Sequence, residues 1–118
     1  MGISYIEGTV RGPAGQEARL EFLIDSGAMY SLLPHATWKA IGVTPKREET
    51  FSLADGTKIH RAVGECHIRL PQGEGHTPVI LGEPGDNQPL LGVVTLEELG
   101  LVFDPFRRTL HPIRALLV

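Results

Sequence analysis

Phe22-Leu23-Ile24-Asp25-Ser26-Gly27-Ala28 carries an apolar run directly into a carboxylate, a hydroxyl and a glycine. A carboxylate set against apolar neighbours loses hydration, so it must find donors and a partner or take up a proton. The chemistry within its reach is therefore acid–base chemistry, centred on Asp25. Ser26 can supply a hydroxyl, and Gly27 lets the backbone approach closely or take a positive φ. The same four residues, Asp25 to Ala28, also suit an ordinary Asp-Ser-Gly turn. Taken alone, they leave both readings open.

The flanking residues decide where this corner sits. Ala18, Leu20, Phe22 and Ile24 alternate with Arg19 and Glu21, which is strand periodicity, and Leu23 breaks it by making both faces apolar. Such a strand is entering a core. After the corner, Tyr30-Ser31-Leu32-Leu33-Pro34 is again largely apolar. A corner between two buried segments is not a solvated hairpin tip.

With Leu90-Leu91-Gly92 and the short helix-like stretch after it, this pattern resembles the retropepsin-like aspartic proteases, the retroviral enzymes and their single-domain cellular relatives. The resemblance spans roughly residues 18–110. It implies that Asp25 is catalytic and that Leu90-Leu91-Gly92 forms the psi-shaped loop packed beside it. It further implies that Gly27 holds the Asp25 carboxylate through its amide, a charge-assisted contact. Ser26 would bond across a dimer axis, orienting the loop rather than acting as a nucleophile, and Ala28 would be small where peptide passes. Val93 departs from the many retroviral enzymes that place a charged or polar residue after this glycine.

One chain of 118 residues with one such motif forms a single domain, residues 1–118, with one catalytic aspartate. Aspartic protease chemistry uses two carboxylates about 3 Å apart sharing one proton. One acts as general base on water while the other, protonated, hydrogen-bonds the scissile carbonyl. The resemblance thus implies a homodimer, with Asp25 of each subunit meeting on a twofold axis. The apolar C-terminal Ala115-Leu116-Leu117-Val118 and the strand-like residues 2–9 suit an intersubunit sheet of termini. Packing of these ends on their own subunit is the competing arrangement.

Elsewhere the chain reads as an all-β domain punctuated by 14 glycines and 9 prolines. Strands are expected over residues 4–10, 18–24, 49–53, 58–70, 78–81, 101–103 and 109–112. One short helix follows Pro34 and stops at Gly42. A second begins at Thr95, where Thr95-Leu96-Glu97-Glu98 matches a capping box, and ends at Gly100. Many short strands with little helix indicate a closed, barrel-like fold, the acid-protease fold of the resembled family.

Leu53-Ala54-Asp55-Gly56-Thr57 signals a β-hairpin. By position it is the flap that would close over peptide, placing Ala54, Asp55 and Gly56 with Ala28 in a substrate-binding role. It has less glycine than retroviral flaps and carries Asp55 near the tip. An exposed hairpin that never closes is the alternative. Pro71-Gln72-Gly73-Glu74-Gly75 comes too late to be the flap and reads as a distal turn.

Composition narrows the rest. With 42% hydrophobic and 21% charged residues the chain is ordinary globular material. No apolar run reaches membrane-spanning length and no leader pattern opens it, so a cytoplasmic protein without a membrane partner is expected. A net charge of −3 with 11 basic residues gives no footprint for nucleic acid. Cys66 is the single cysteine; on a strand it points away from His67, and with His60 it does not supply the three ligands of a catalytic zinc site. No metal or cofactor is expected. His35, His76 and His111 read as surface residues, Trp38 as core, and Asp86 and Asp104 as turn residues without the Ser-Gly sequel of a second motif. The reading is thus an aspartic endopeptidase acting on peptide or protein. The alternative is a dimeric binding or scaffold module that keeps the fold without useful proteolysis.

Overall fold

The computed structural model describes residues 4–113. Nine strands and two short helices follow one another: β1 (Tyr5–Arg11), β2 (Glu17–Ile24), β3 (Ser31–Leu33), α1 (His35–Ala40), β4 (Arg47–Ser52), β5 (Lys58–Leu70), β6 (Gly73–Leu81), β7 (Leu90–Leu91), α2 (Val93–Glu98), β8 (Leu101–Asp104) and β9 (Thr109–Pro112). The main sheet runs β1-β2-β7-β3-β6-β5-β4, and a further β1–β5 pairing closes six of its strands into a ring. The all-β, barrel-like expectation with two short helices holds. β4 stays outside the ring, paired only with the first half of β5 from Arg47↔Val63 to Ser52↔Lys58.

Each ring strand sends side chains into one interior. Val10, Phe22, Leu33, Val63, Ile68, Val79 and Leu91 are fully buried. Each such side chain contributes on the order of 2 kcal/mol by leaving water. The alternation of β2 places Phe22 in this core, and Leu23, which breaks it, is half-buried where β2 pairs in parallel with β7.

Several elements differ from expectation. β6 begins at Gly73 rather than at residue 78, pairing Gly73 with Leu70 across a two-residue turn. Its glycines lie where β6 packs closely: a Cβ on Gly73 would come 3.2 Å from the Leu99 carbonyl oxygen. β3 and β7 have three and two residues, too short for a periodic signal. α2 begins at Val93, with Gly92 rather than Thr95 at its N-cap. The helix ends were legible: Gly42 and Gly100 follow the last turns with φ of +77° and +70°.

Of the N-terminal residues 2–9, residues 2 and 3 lie outside the described part, and residues 5–9 are paired within their own subunit along one edge. They pair with β2 from Tyr5↔Leu23 onward, and Thr9 also pairs with Arg69 of β5. The C-terminal residues 115–118 lie outside the described part. β8 and β9 form a separate two-stranded sheet.

Candidate active site

Asp25 follows the last residue of β2 and is half-buried. Its amide donates to the Leu91 carbonyl at 3.0 Å, so the end of β7 fixes its backbone. One carboxylate oxygen, Oδ1, accepts the Gly27 N–H at 2.9 Å. The Ala28 N–H donates to the Asp25 carbonyl at 3.1 Å, closing the turn. Gly27 does not use a positive φ. Its relevance is proximity, since a Cβ there would lie 3.3 Å from Asp25 Oδ1. Ser26 is exposed, as is Met29.

A second layer clamps this corner. Val93 and Val94 donate their amides to the carbonyls of Ala28 and Met29, both at 2.9 Å. The Gly92 N–H donates to Ser31 Oγ at 3.0 Å. Ser31 in turn shares a hydrogen bond with Thr95 Oγ1, which also bonds Thr77 Oγ1 at 3.0 Å. All three hydroxyls belong to buried residues and all are partnered, so none carries the penalty of an unmet polar group. Thr95 therefore serves this internal network instead of capping α2, which has no side-chain cap bond. The network ties β3, β6 and α2 together behind the Asp25 corner.

The sequence-predicted residues thus fall into two groups. Asp25, Ser26, Gly27 and Ala28 form one corner beside Leu90-Leu91-Gly92. Ala54, Asp55 and Gly56 lie at the tip of the β4–β5 hairpin, where Gly56 takes φ +87° and Asp55 Oδ1 accepts the Thr57 N–H at 2.9 Å. Hydrogen bonds from Thr57 hold the Asp55 carboxyl below its usual range, so the tip stays charged at mildly acidic pH.

The hairpin joins the corner lower down, through residues that sequence reasoning did not single out. The Tyr30 ring meets Phe51 of β4 edge-to-face at 5.8 Å, and Arg47 Nη2 donates to Tyr30 Oη at 3.1 Å. Tyr30 is five residues beyond Asp25, so a contact from its ring to β4 had no local signature.

The other ionisable candidates have plain structural roles. Cys66 is 1% exposed, and burial pushes its thiol up to about 12, far from a nucleophilic thiolate. His67 Nε2 lies 2.7 Å from Glu74 and His60 Nδ1 lies 2.8 Å from Thr50. Trp38 is partly buried against the core, and its Nε1 donates to the Gly82 carbonyl at 2.9 Å. Asp104 accepts the Phe106 and Arg107 amides in its own turn.

Asp86 does more than turn chemistry predicted. Besides accepting the Glu83 N–H, it receives Arg61 Nε at 2.7 Å and Nη2 at 3.3 Å, tying β5 to the segment before β7. The Arg61 hydrogen bonds hold the Asp86 carboxyl below its usual range. A lowered folded pKa means that the stabilisation is full above about pH 4 and is lost as pH falls through the lowered value. Asp86→Asn is therefore expected to cost ~1 kcal/mol at pH 7 in urea unfolding, with the deficit shrinking as pH falls below about 4. An equal deficit across this range would show that the ion pair is not its source.

A strand-borne Asp-Ser-Gly corner clamped by a psi-shaped loop within a closed β ring is the architecture of retropepsin-like aspartic proteases. The solution structure of simian foamy virus (mac) protease is similar to it: TM-score 0.57 at 18% identity, covering 80% of this chain and 92% of that one. That likeness concerns the fold. The family model described as gag-polyprotein putative aspartyl protease matches residues 14–98, and the chain belongs to that family. Among curated proteins none matches this chain. No helix among the described residues is long and apolar enough to cross a membrane.

Proposed function

We propose that residues 1–118 form one domain that works as a homodimeric aspartic endopeptidase, Asp25 of each subunit supplying half of the catalytic pair. One carboxylate of the pair takes a proton from the attacking water, and the other, protonated, donates to the scissile carbonyl. The observation that carries this reading is the disposition of the four aspartates. Asp25 is placed at a clamped, half-buried corner. Asp55 is at a hairpin tip, Asp86 is held by Arg61, and Asp104 is occupied by its own turn. No other aspartate of the same chain is available as partner, which supports a second carboxylate supplied by a second copy.

Gly27 orients the carboxylate through its amide, Ser26 is free to bond across the axis, and Ala28 leaves room for peptide. Ala54, Asp55 and Gly56 would cover the bound chain. Exposed Val102 and Ile113, on or next to the separate β8–β9 sheet, supply apolar surface for a subunit contact. A two-stranded sheet gains little stability alone. The charged Asp55 tip favours a second reading, a dimeric peptide-binding module whose hairpin does not close productively.

The test is cleavage of an unstructured protein substrate as a function of enzyme concentration at pH 4–6, with chelator present. Specific activity should rise with concentration and plateau in step with the dimer fraction seen by sedimentation. Activity from a species that stays monomeric overturns the dimer. A dimer that binds peptide without cleaving it supports the second reading.

A further inference from the structure

On the outer face of the ring, where β1 meets β5, lies a cleft of about 480 Å3 lined by Arg11, Lys46, His67 and His76, with Glu65 as its one carboxylate. Strand register brings three of these together. Arg11 is the partner of His67 across β1–β5, and His67 is the partner of His76 across β5–β6. Opposed residues share a face of the sheet. Their neighbours Val10, Cys66 and Thr77 fill the interior, so this face is the outer one.

The strand arginines of the barrel are matched to carboxylates, except the one in this cleft. Arg19, Arg47, Arg61 and Arg69 each have a carboxylate within 4.0 Å, on Glu7, Glu49, Asp86 and Glu17 respectively. Among the described residues Arg11, the remaining strand arginine, has none. Glu17 stands directly opposite it in β1–β2, yet the Glu17 carboxylate lies 3.8 Å from Arg69 instead. Lys46 likewise has no carboxylate partner among the described residues. Nearby acids are already engaged, Glu74 with His67 at 2.7 Å and Glu65 with His76 at 3.7 Å. In a chain of net charge −3, one cleft therefore gathers two unmatched cations and two imidazoles.

We propose that this cleft is a binding site for a phosphate-type oxyanion, either free phosphate or a phosphorylated side chain. A guanidinium fork suits two phosphate oxygens at once, and the lysine adds a mobile point charge. Thr44, also in the lining, brings a hydroxyl. None of these residues belongs to the Asp25 corner or the 53–57 hairpin, so the site stands independently of the protease reading.

Inorganic phosphate and O-phosphoserine, titrated separately into the full chain at low ionic strength, would be followed through backbone amide NMR shifts. Saturable shifts are expected at Gly12, Thr44, Lys46 and His67, with dissociation constants on the order of 1 mM. Tighter binding of phosphoserine would identify a phosphorylated side chain as the source, and equal affinities the free ion. Arg11→Gln and Lys46→Gln should each weaken binding about fivefold, and the double variant should abolish it while its other amide shifts stay in place. Should glutamine disturb the β1 strand, Lys46→Ala, outside the regular strands, carries the same expectation. Diffuse, non-saturating shifts, or saturable binding unchanged in the double variant, would overturn the proposal.

Discussion

Asp25→Asn should reduce peptide cleavage by about 10^4-fold or more, because a homodimer loses its general base and its general acid in one substitution, and each supplies roughly 10^2–10^4. Asparagine keeps the shape of the side chain, and its carbonyl oxygen can still accept the Gly27 N–H that Asp25 Oδ1 accepts at 2.9 Å. The backbone bonds from Asp25 to Leu91 and from Ala28 to Asp25 do not involve the carboxylate. Folding and dimerisation should therefore persist, separating loss of chemistry from loss of structure. Equimolar mixing of wild type and variant should leave roughly a quarter of the dimers with two aspartates, and activity should fall accordingly. Cleavage by the pure variant at anything near the wild-type rate would exclude Asp25 as the acid–base residue. Linear dilution on mixing would mean that each subunit acts alone.

How far this could be read from the chain varied with the range of the interaction. β5 and β9 were legible to the residue because alternation and flanking turn residues mark them locally. The Asp25 corner was legible because a carboxylate at the end of an apolar strand is costly wherever it occurs. β3 and β7 were not, since two or three residues carry no period, and they are strands only because the ring brings partners to both their edges. Thr95 shows the same limit from the other direction. Its local pattern is a capping box, but Ser31 and Thr77 lie 64 and 18 positions away along the chain, and the buried network they form outweighs an exposed cap. Asp86 read as a turn residue for a similar reason, Arg61 being 25 positions distant. In each case the signal was a polar residue whose local explanation was adequate and whose tertiary partner was invisible.

The N-terminal segment shows how little alternation says about which strand will be the partner. Ile6 and Tyr5 suit an end available to a second subunit; β1 pairs with β2 along its whole length but with β5 only over Thr9–Arg11, so residues 5–8 keep one edge without a strand partner among the described residues. A strand that closes a barrel and a strand that joins two subunits have the same alternation. Only the number of partners already present distinguishes them.

Gly92→Val, at the glycine of the psi-shaped loop, should be strongly destabilising, costing about 3 kcal/mol or more. Gly92 has φ −102° and ψ 175°, extended values that any residue adopts, so conformational freedom is not why glycine stands there. The reason is contact. A Cβ would lie 2.5 Å from both the carbonyl carbon and oxygen of Tyr30 and 2.9 Å from the Met29 oxygen. These are backbone atoms with little room to yield: Val94 already donates to the Met29 carbonyl, and Ser31 is in register with Val79 of β6. Relief would have to come from separating the Asp25 corner from the loop that clamps it, breaking the amide bonds from Val93 and Val94. Gly92→Ala should therefore lose stability in urea unfolding and lose cleavage activity beyond what the remaining folded fraction explains. Gly85 supplies the control, because its surroundings are open and its φ is not positive. Gly85→Ala should change stability by no more than about 0.5 kcal/mol. A tolerated Gly92→Ala with unchanged midpoint and activity would mean that the corner and the loop are not in the close contact on which the positioning of Asp25 depends.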